Sequence, residues 1–154
     1  MTVEMNDSLT RFFMPNEVKE GLDNIGNLKA SGPDGMPAIF YKTIWHVVGP
    51  KIQGEVLEVL NGGAMPSDWN ETTIVLIPKV KNPKRINDFR PISQCNVIYK
   101  LISKVLAHRL KVILPHIISS TQSAFVLGRM ITDNVFLAYE ITHLMHQKKG
   151  VVMA

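Results

Sequence analysis

Cysteine is almost absent from the sequence. Cys95 is the single one among 154 residues, so an internal disulfide is excluded and no cysteine-based metal-ligand spacing exists. No apolar run reaches the length of a transmembrane helix, and residues 1–13 carry early acids without the apolar segment of a secretory signal. We expect no membrane partner. An intracellular, reducing setting is compatible with these features, and the sequence does not predict a particular compartment.

Acidic residues are scarce in the second half of the chain, where only Asp88, Asp133 and Glu140 follow Glu71. Two-metal nucleotidyl transfer requires carboxylates clustered tightly enough to hold both ions. None of these residues has a second carboxylate beside it in a strand–turn–strand segment, and each is better explained as a turn, cap or surface residue. A Walker-type glycine loop is also missing. We therefore predict no catalytic residue, metal site or cofactor within this chain.

Basic residues, in contrast, are concentrated in the middle of the chain. The net charge is +4, but residues 71–115 hold nine Lys or Arg against two acids, a net +7, whereas residues 1–70 hold five against nine, a net −4. Such a segment attracts polyanions. The alternative interpretation is a solvated basic surface without a partner.

The apolar spacing and the prolines and glycines predict an α+β fold in which helices flank a short hairpin. The predicted elements are helices at 15–25 and 37–48, a helix from Pro50 to a stop at Gly62, a buried strand at 72–77, a returning strand at 89–93, and helices at 96–114 and 130–147. Residues 26–35 are rich in turn formers, and Gly35 is placed to accept a positive φ. With 45% hydrophobic residues, the chain has enough apolar side chains for a core.

The helix predicted at 96–114 has two distinct sides. The apolar side is expected to face a core and contains Ile98, Leu101, Ile102, Val105, Leu106, Leu110 and Ile113. The other side carries Lys100, Lys104, His108 and Lys111. Pro115 is expected to end this helix.

A second basic group lies between the two predicted strands, where Lys79, Lys81, Lys84 and Arg85 follow one another, with Arg90 on the second strand. Basic side chains at a hairpin tip can reach phosphates, and arginine can hold a phosphate through two hydrogen bonds. Together with the helix lysines, these residues predict contacts along a nucleic-acid backbone without reading of bases. The alternative is a hairpin tip that lysines keep soluble.

Three segments in series carry a family resemblance. They are residues 29–35 (KASGPDG), residues 88–93 (DFRPIS) with the helix after them, and residues 122–126 (QSAFV) with Gly128 and Arg129. In order and spacing they resemble the reverse transcriptase of non-LTR, LINE-type retrotransposons, particularly the plant type. The resemblance extends from about Val18 to Lys149.

The resemblance implies that the chain is a partial reverse transcriptase domain over 1–154, comprising an amino-terminal extension and the fingers of a right-hand polymerase. It implies nucleotide contacts by Arg90, Lys79 and Lys81, and template contacts by Gln122, Phe125 and Arg129. Lys84, Arg85, Lys100, Lys104 and Lys111 remain the further nucleic-acid-binding candidates. The family's metal-binding aspartates belong to the palm, beyond Ala154, so Mg²⁺ is expected only for the full-length enzyme.

We therefore expect a truncated, retrotransposon-derived fragment without RNA-directed DNA polymerase activity by itself. The alternative is a nonenzymatic module that binds RNA or DNA through its basic hairpin and helix. A further expectation is self-association through the apolar surface that a missing palm would leave uncovered.

Overall fold

The computed structural model describes residues 2–119, 122, 126 and 128–147. The chain divides into two compact units, one formed by Thr10–His108 and the other by Met1–Leu9 together with Arg109–Ala154. Within the described ranges, no helix is both long and apolar enough to cross a membrane.

The described residues form six helices and one two-stranded antiparallel sheet, which confirms the α+β prediction. The elements are α1 (Val3–Thr10), α2 (Pro15–Asp23), α3 (Ala38–Thr43), α4 (Trp45–Leu60), β1 (Thr72–Pro78), β2 (Phe89–Cys95), α5 (Val97–Ile117) and α6 (Ile131–Gln147), with short 3-10 turns at Ser67–Asn70 and Ile86–Asp88. Helix α1 and the two 3-10 turns were not predicted.

The core of the Thr10–His108 unit is built on α2 and the first half of α5. Helix α2 begins at Pro15, and a Glu17 side-chain oxygen accepts a hydrogen bond from the Met14 amide at 2.9 Å, which satisfies an otherwise unpaired donor at the helix start. Gly21 lies so close to α5 that a Cβ there would meet Val105 at 2.8 Å. The buried apolar residues are Val18, Leu22, Ile25, Ala38, Tyr41, Ile52, Val56, Val97, Leu101, Ile102 and Val105.

The buried side of α5 is narrower than predicted. Leu106 and Leu110 are 49% and 42% exposed, so the prediction that they face the core was wrong. Burial follows the row at spacing four that begins at Val97 and passes through Leu101 and Val105. Leu106, one residue beyond Val105, is rotated by about 100° from that row and is exposed, whereas Ile102, one residue beyond Leu101, stays buried.

The predicted break at Gly49 and Pro50 was also wrong. Helix α4 runs through both residues, and the interruption lies at Ile44, where φ is −101° and ψ is 20°. Proline at position 50 removes one amide donor, but its fixed φ is helical, and burial of Ile52 and Val56 on the same helix favours continuation. Pro115 likewise lies inside α5, which ends at Ile117.

The sheet is a ribbon of two strands in which Thr72 pairs with Cys95 and Pro78 pairs with Phe89 at the opposite end. The return of the chain at Phe89 and the edge position of Pro91 confirm the hairpin prediction. The prediction that 72–77 is a buried strand was wrong, because Ile74 is 65% exposed and its neighbours in β1 are exposed or half-buried. Apolar β-branched residues favour a strand wherever it lies, whereas burial requires a second layer on the sheet.

Helix α6 confirms the last predicted helix, and every one of its side chains that the structure describes is exposed. Its large exposed apolar residues are Val135, Phe136, Leu137, Tyr139, Ile141, Leu144 and Met145. The predicted self-association would involve this surface, and it stays a prediction.

The turn at residues 29–35 is attached to the start of α5. Gly35 has φ of +69°, as predicted. Gly32 is buried against Asn96, and a Cβ at Gly32 would lie 2.1 Å from Asn96 Oδ1 and 2.5 Å from its backbone N. The Lys100 ammonium donates to the Ala30 carbonyl at 2.6 Å. The turn therefore requires glycine at position 32 for close approach and at position 35 for its backbone angle.

Gly32→Ala is expected to lower the free energy of unfolding by about 1–3 kcal/mol, because the added methyl group must displace the backbone at the start of α5. Gly54→Ala is the matched control, since a Cβ at the exposed Gly54 within α4 meets nothing within 4 Å. It is expected to stabilise the protein by about 0.5–1 kcal/mol through helix propensity. Urea unfolding of both variants measures the difference, and equal stabilities would contradict the close contact.

Candidate nucleic-acid interface

The segment that joins the two strands, residues 79–88, is called the ribbon-end loop. It is closed by Lys79, whose amide donates to the Asp88 carbonyl at 2.7 Å and whose ammonium donates to the Asn87 carbonyl at 2.9 Å. These bonds extend the strand pairing by one step beyond Pro78 and Phe89. The cations of the loop are thereby carried on a backbone with defined hydrogen bonds.

Asp88 organises the other half of the loop. Its Oδ2 accepts hydrogen bonds from the Lys84 and Arg85 amides, both at 2.9 Å. The bond from the Lys84 amide and then that from the Arg85 amide hold the pKa of Asp88 below its ordinary 3.8, because both favour the ionised carboxylate. The expectation that Asp88 is a turn or cap residue is confirmed.

Five basic side chains gather around this end of the ribbon. Lys79, Lys81, Lys84 and Arg85 are exposed on the loop, and Arg90 is exposed on β2 opposite Ile77. With Asp88 as the one acid, residues 79–90 carry five positive charges and one negative charge. The structure brings these predicted residues together, and their roles toward nucleotide or nucleic acid stay predictions.

The helix lysines are placed differently from one another. Lys100 and Lys104 are half-buried and belong to the same unit as the ribbon, and Lys100 uses one of its three donors on Ala30. Lys111 is exposed and belongs to the other unit. Lys100 and Lys104 therefore lie in the same unit as the ribbon-end loop, and the nucleic-acid-binding role of all three lysines stays a prediction.

Arg129 makes hydrogen bonds within the chain that the sequence did not indicate. Its guanidinium donates to the carbonyls of Ser119 at 2.5 Å and Gln122 at 2.8 Å, with longer bonds to Pro115 at 3.4 Å and Ile118 at 3.5 Å. Three of these acceptors lie at the end of α5, where carbonyls lack helix partners and cations are favoured. Gln122 is exposed, and the third predicted template contact, Phe125, lies outside the described residues.

A cavity of about 420 Å³ lies elsewhere in the Thr10–His108 unit, and Asp34, Asp68 and Glu71 line it together with Tyr41 and Trp69. The Tyr41 hydroxyl donates to Asp34 at 3.4 Å. Burial, followed by the charge of Asp34 and this hydrogen bond, raises the pKa of Tyr41 to about 12. Three carboxylates disfavour a polyanion, so the ribbon end is the better candidate interface.

Arg109 was also not singled out from the sequence. It lies on the buried side of α5, and one guanidinium nitrogen donates to the Leu9 carbonyl at 3.1 Å. The buried row at spacing four, from Val97 through Leu101 and Val105, continues to position 109. This spacing could have predicted that Arg109 is buried, but a charged residue is not expected in a core. Among the described residues, no group of three or more His, Cys, Asp or Glu is arranged to hold a metal ion.

Sequence comparisons point to mobile genetic elements. No family model matches the chain. A curated relative, the "Transposon TX1 uncharacterized 149 kDa protein" of Xenopus laevis, is 31% identical to it over 128 residues, which is 83% of this chain. This similarity to a LINE-type transposon protein supports a retrotransposon origin for the sequence. The chain spans 10% of that relative's length.

The carboxyl group of Asp88 is expected to titrate with a midpoint below 3.8. Because its pKa is depressed by folding, the stabilisation is present above the ordinary pKa and is lost as the pH falls through the lower, folded value. NMR detection of the Lys84 and Arg85 amide shifts against pH measures that midpoint, and Asp88→Asn should abolish the transition. A midpoint at or above the ordinary value would contradict the two hydrogen bonds.

Proposed function

We propose that the chain is a segment of a LINE-type reverse transcriptase that corresponds to the fingers of the polymerase and grips nucleic acid at the end of its ribbon. Two observations support the origin. The chain is similar to a transposon protein over 128 residues, and it carries the KASGPDG, DFRPIS and QSAFV segments in series. The plant-type assignment rests on these three segments.

The observation that carries the binding proposal is the cluster of five exposed cations at one end of the ribbon. A chain that neutralises phosphates with lysine and arginine releases counterions, so affinity depends steeply on salt. Arg90 is the candidate for a two-bond phosphate contact because it projects from a strand, whose backbone is fixed by pairing with Ile77. Lys79 directly follows Pro78, which forms the last strand pair with Phe89.

We propose further that this chain, taken by itself, does not extend a primer. Nucleotidyl transfer requires carboxylates that hold two metal ions at the reacting phosphate. The acids that follow Glu71 are Asp88, Asp133 and Glu140, and Asp88 already accepts two amide hydrogen bonds within the loop. On this proposal the chain binds nucleic acid, and the carboxylates that nucleotidyl transfer requires are not among its residues.

Lys79→Ala/Arg90→Ala is expected to weaken binding to a labelled single-stranded RNA or DNA by about tenfold or more, since two charge-assisted phosphate contacts are lost. The slope of log affinity against log salt should fall by about 1.4, from roughly 0.7 per phosphate on a single strand. Fluorescence anisotropy across a salt series measures both quantities.

Lys51→Ala is the control for this experiment. Lys51 is exposed on α4 and lies 3.9 Å from Glu55, so its removal takes away a lysine charge without altering the ribbon. Its binding should stay close to that of the unchanged chain. Absence of binding by the folded chain at low salt would refute the interface. A loss of log affinity in Lys51→Ala about half that of the double variant, in proportion to the one charge removed against two, would show that net charge alone governs binding.

Primer extension by the purified chain with Mg²⁺ or Mn²⁺ is expected to give no product on an RNA template. The measurement is gel analysis of a labelled primer, with a complete reverse transcriptase as the positive control. Template-dependent synthesis that persists through re-purification and is lost in a variant of this chain would refute the proposal that the chain does not extend a primer. The binding proposal would remain intact.

A further inference from the structure

We propose that Asp88 is a positioning residue that arranges the ribbon-end loop for the phosphate backbone of a nucleic acid, an inference that rests on the proposed function. An acid within a cluster of five cations opposes polyanion binding by its charge. Its contacts, however, organise the segment on which four of those cations lie.

The contacts of Asp88 are made to backbone groups. Its Oδ2 accepts from the Lys84 and Arg85 amides, and its own carbonyl accepts from the Lys79 amide. None of the ion pairs among the described residues joins Asp88 to a cation of the loop. The carboxylate therefore fixes the backbone beneath Lys84 and Arg85 while their charged groups remain exposed.

This arrangement lowers the entropy that binding would otherwise cost. A loop held in one conformation before contact loses less conformational freedom when its side chains engage phosphates. The single Oδ2 atom receives two donors from consecutive residues, so moving the carboxylate by one methylene group should loosen both at once.

The surface beside the loop favours the phosphate backbone over the bases as the ligand. Arg90 shares its side of the ribbon with Val75, Ile77 and Ile92, as the strand register requires. Phe89, the aromatic residue of the ribbon, lies on the opposite side because neighbouring strand residues alternate. Single-stranded binding that reads or stacks bases relies on aromatic platforms, and this side of the ribbon has aliphatic side chains instead.

Charge and positioning predict different results for three variants of Asp88. Asp88→Asn and Asp88→Ala remove the same charge, but asparagine retains an oxygen that can accept both amides. Asp88→Glu keeps the charge and displaces the oxygens. If charge alone mattered, the Asn and Ala variants would bind equally and more tightly than the unchanged chain, and the Glu variant would bind like it.

The experiment measures the affinity of the full chain and these variants for oligo(dT), oligo(dA) and a mixed RNA by anisotropy. Positioning predicts that Asp88→Ala binds about fivefold more weakly than Asp88→Asn at equal charge, in line with the loss of a capping side chain. Asp88→Glu should bind more weakly than the unchanged chain, and the affinities for the two DNA homopolymers should agree within about threefold.

Glu55→Ala is the charge control, since it removes one acid from α4, away from the loop sequence. Circular dichroism and urea unfolding establish that each variant is folded, and the Glu variant decides the question even where the Ala variant is unfolded. Equal binding by Asn and Ala variants, or full binding by the Glu variant, would overturn positioning. Absence of binding by the unchanged chain would instead refute the proposed function itself.

Discussion

The close approach of α2 to α5 is the constraint on which the Thr10–His108 unit depends. Gly21 allows it, since a side chain there would strike Val105 and Leu101. Once these helices are in contact, Val18 and Leu22 are removed from water, and the start of α5 is fixed. The turn at residues 29–35 then attaches to that start through Gly32 and Lys100, and β2 feeds directly into the same point. Hydrophobic burial on α5 therefore positions both the turn and the ribbon.

Local pattern predicted the elements better than their surroundings. The β-branched run before Pro78, the return at Phe89 and the helical spacing after Cys95 were sufficient to place the hairpin and α5. Burial was misjudged because it depends on what lies opposite. The strand propensity of Ile74 predicts a core residue, but Ile74 is exposed because no second layer covers it in the described part of the chain. Pro50 looks like a helix end, yet burial of the residues that follow it outweighs the missing hydrogen bond.

The residues of the candidate site likewise divide into those that the sequence predicted and those that it did not. The cations of the ribbon-end loop were predictable because they are close in sequence and the hairpin alone brings them together. The guanidinium of Arg129 was not, because its carbonyl acceptors at the end of α5 become neighbours only when the chain turns back on itself. A residue type indicates what a group can bind, whereas its partners depend on backbone geometry that no short motif encodes. The contacts of Arg129 are of this second kind, whereas the turn or cap role of Asp88 was predicted because its partners are only three and four residues away.

The ribbon also separates charge along its length. Glu71 directly precedes β1 and lines the acidic cavity, whereas Lys79 directly follows the strand, and the intervening seven residues of β1 span roughly 23 Å at about 3.3 Å each. The two ends of this strand therefore carry side chains of opposite charge, acidic beside the cavity and basic in the ribbon-end loop. On the proposed function, a polyanion would attract the basic end of the ribbon and repel the acidic end, which favours approach by the ribbon-end loop before any hydrogen bond forms.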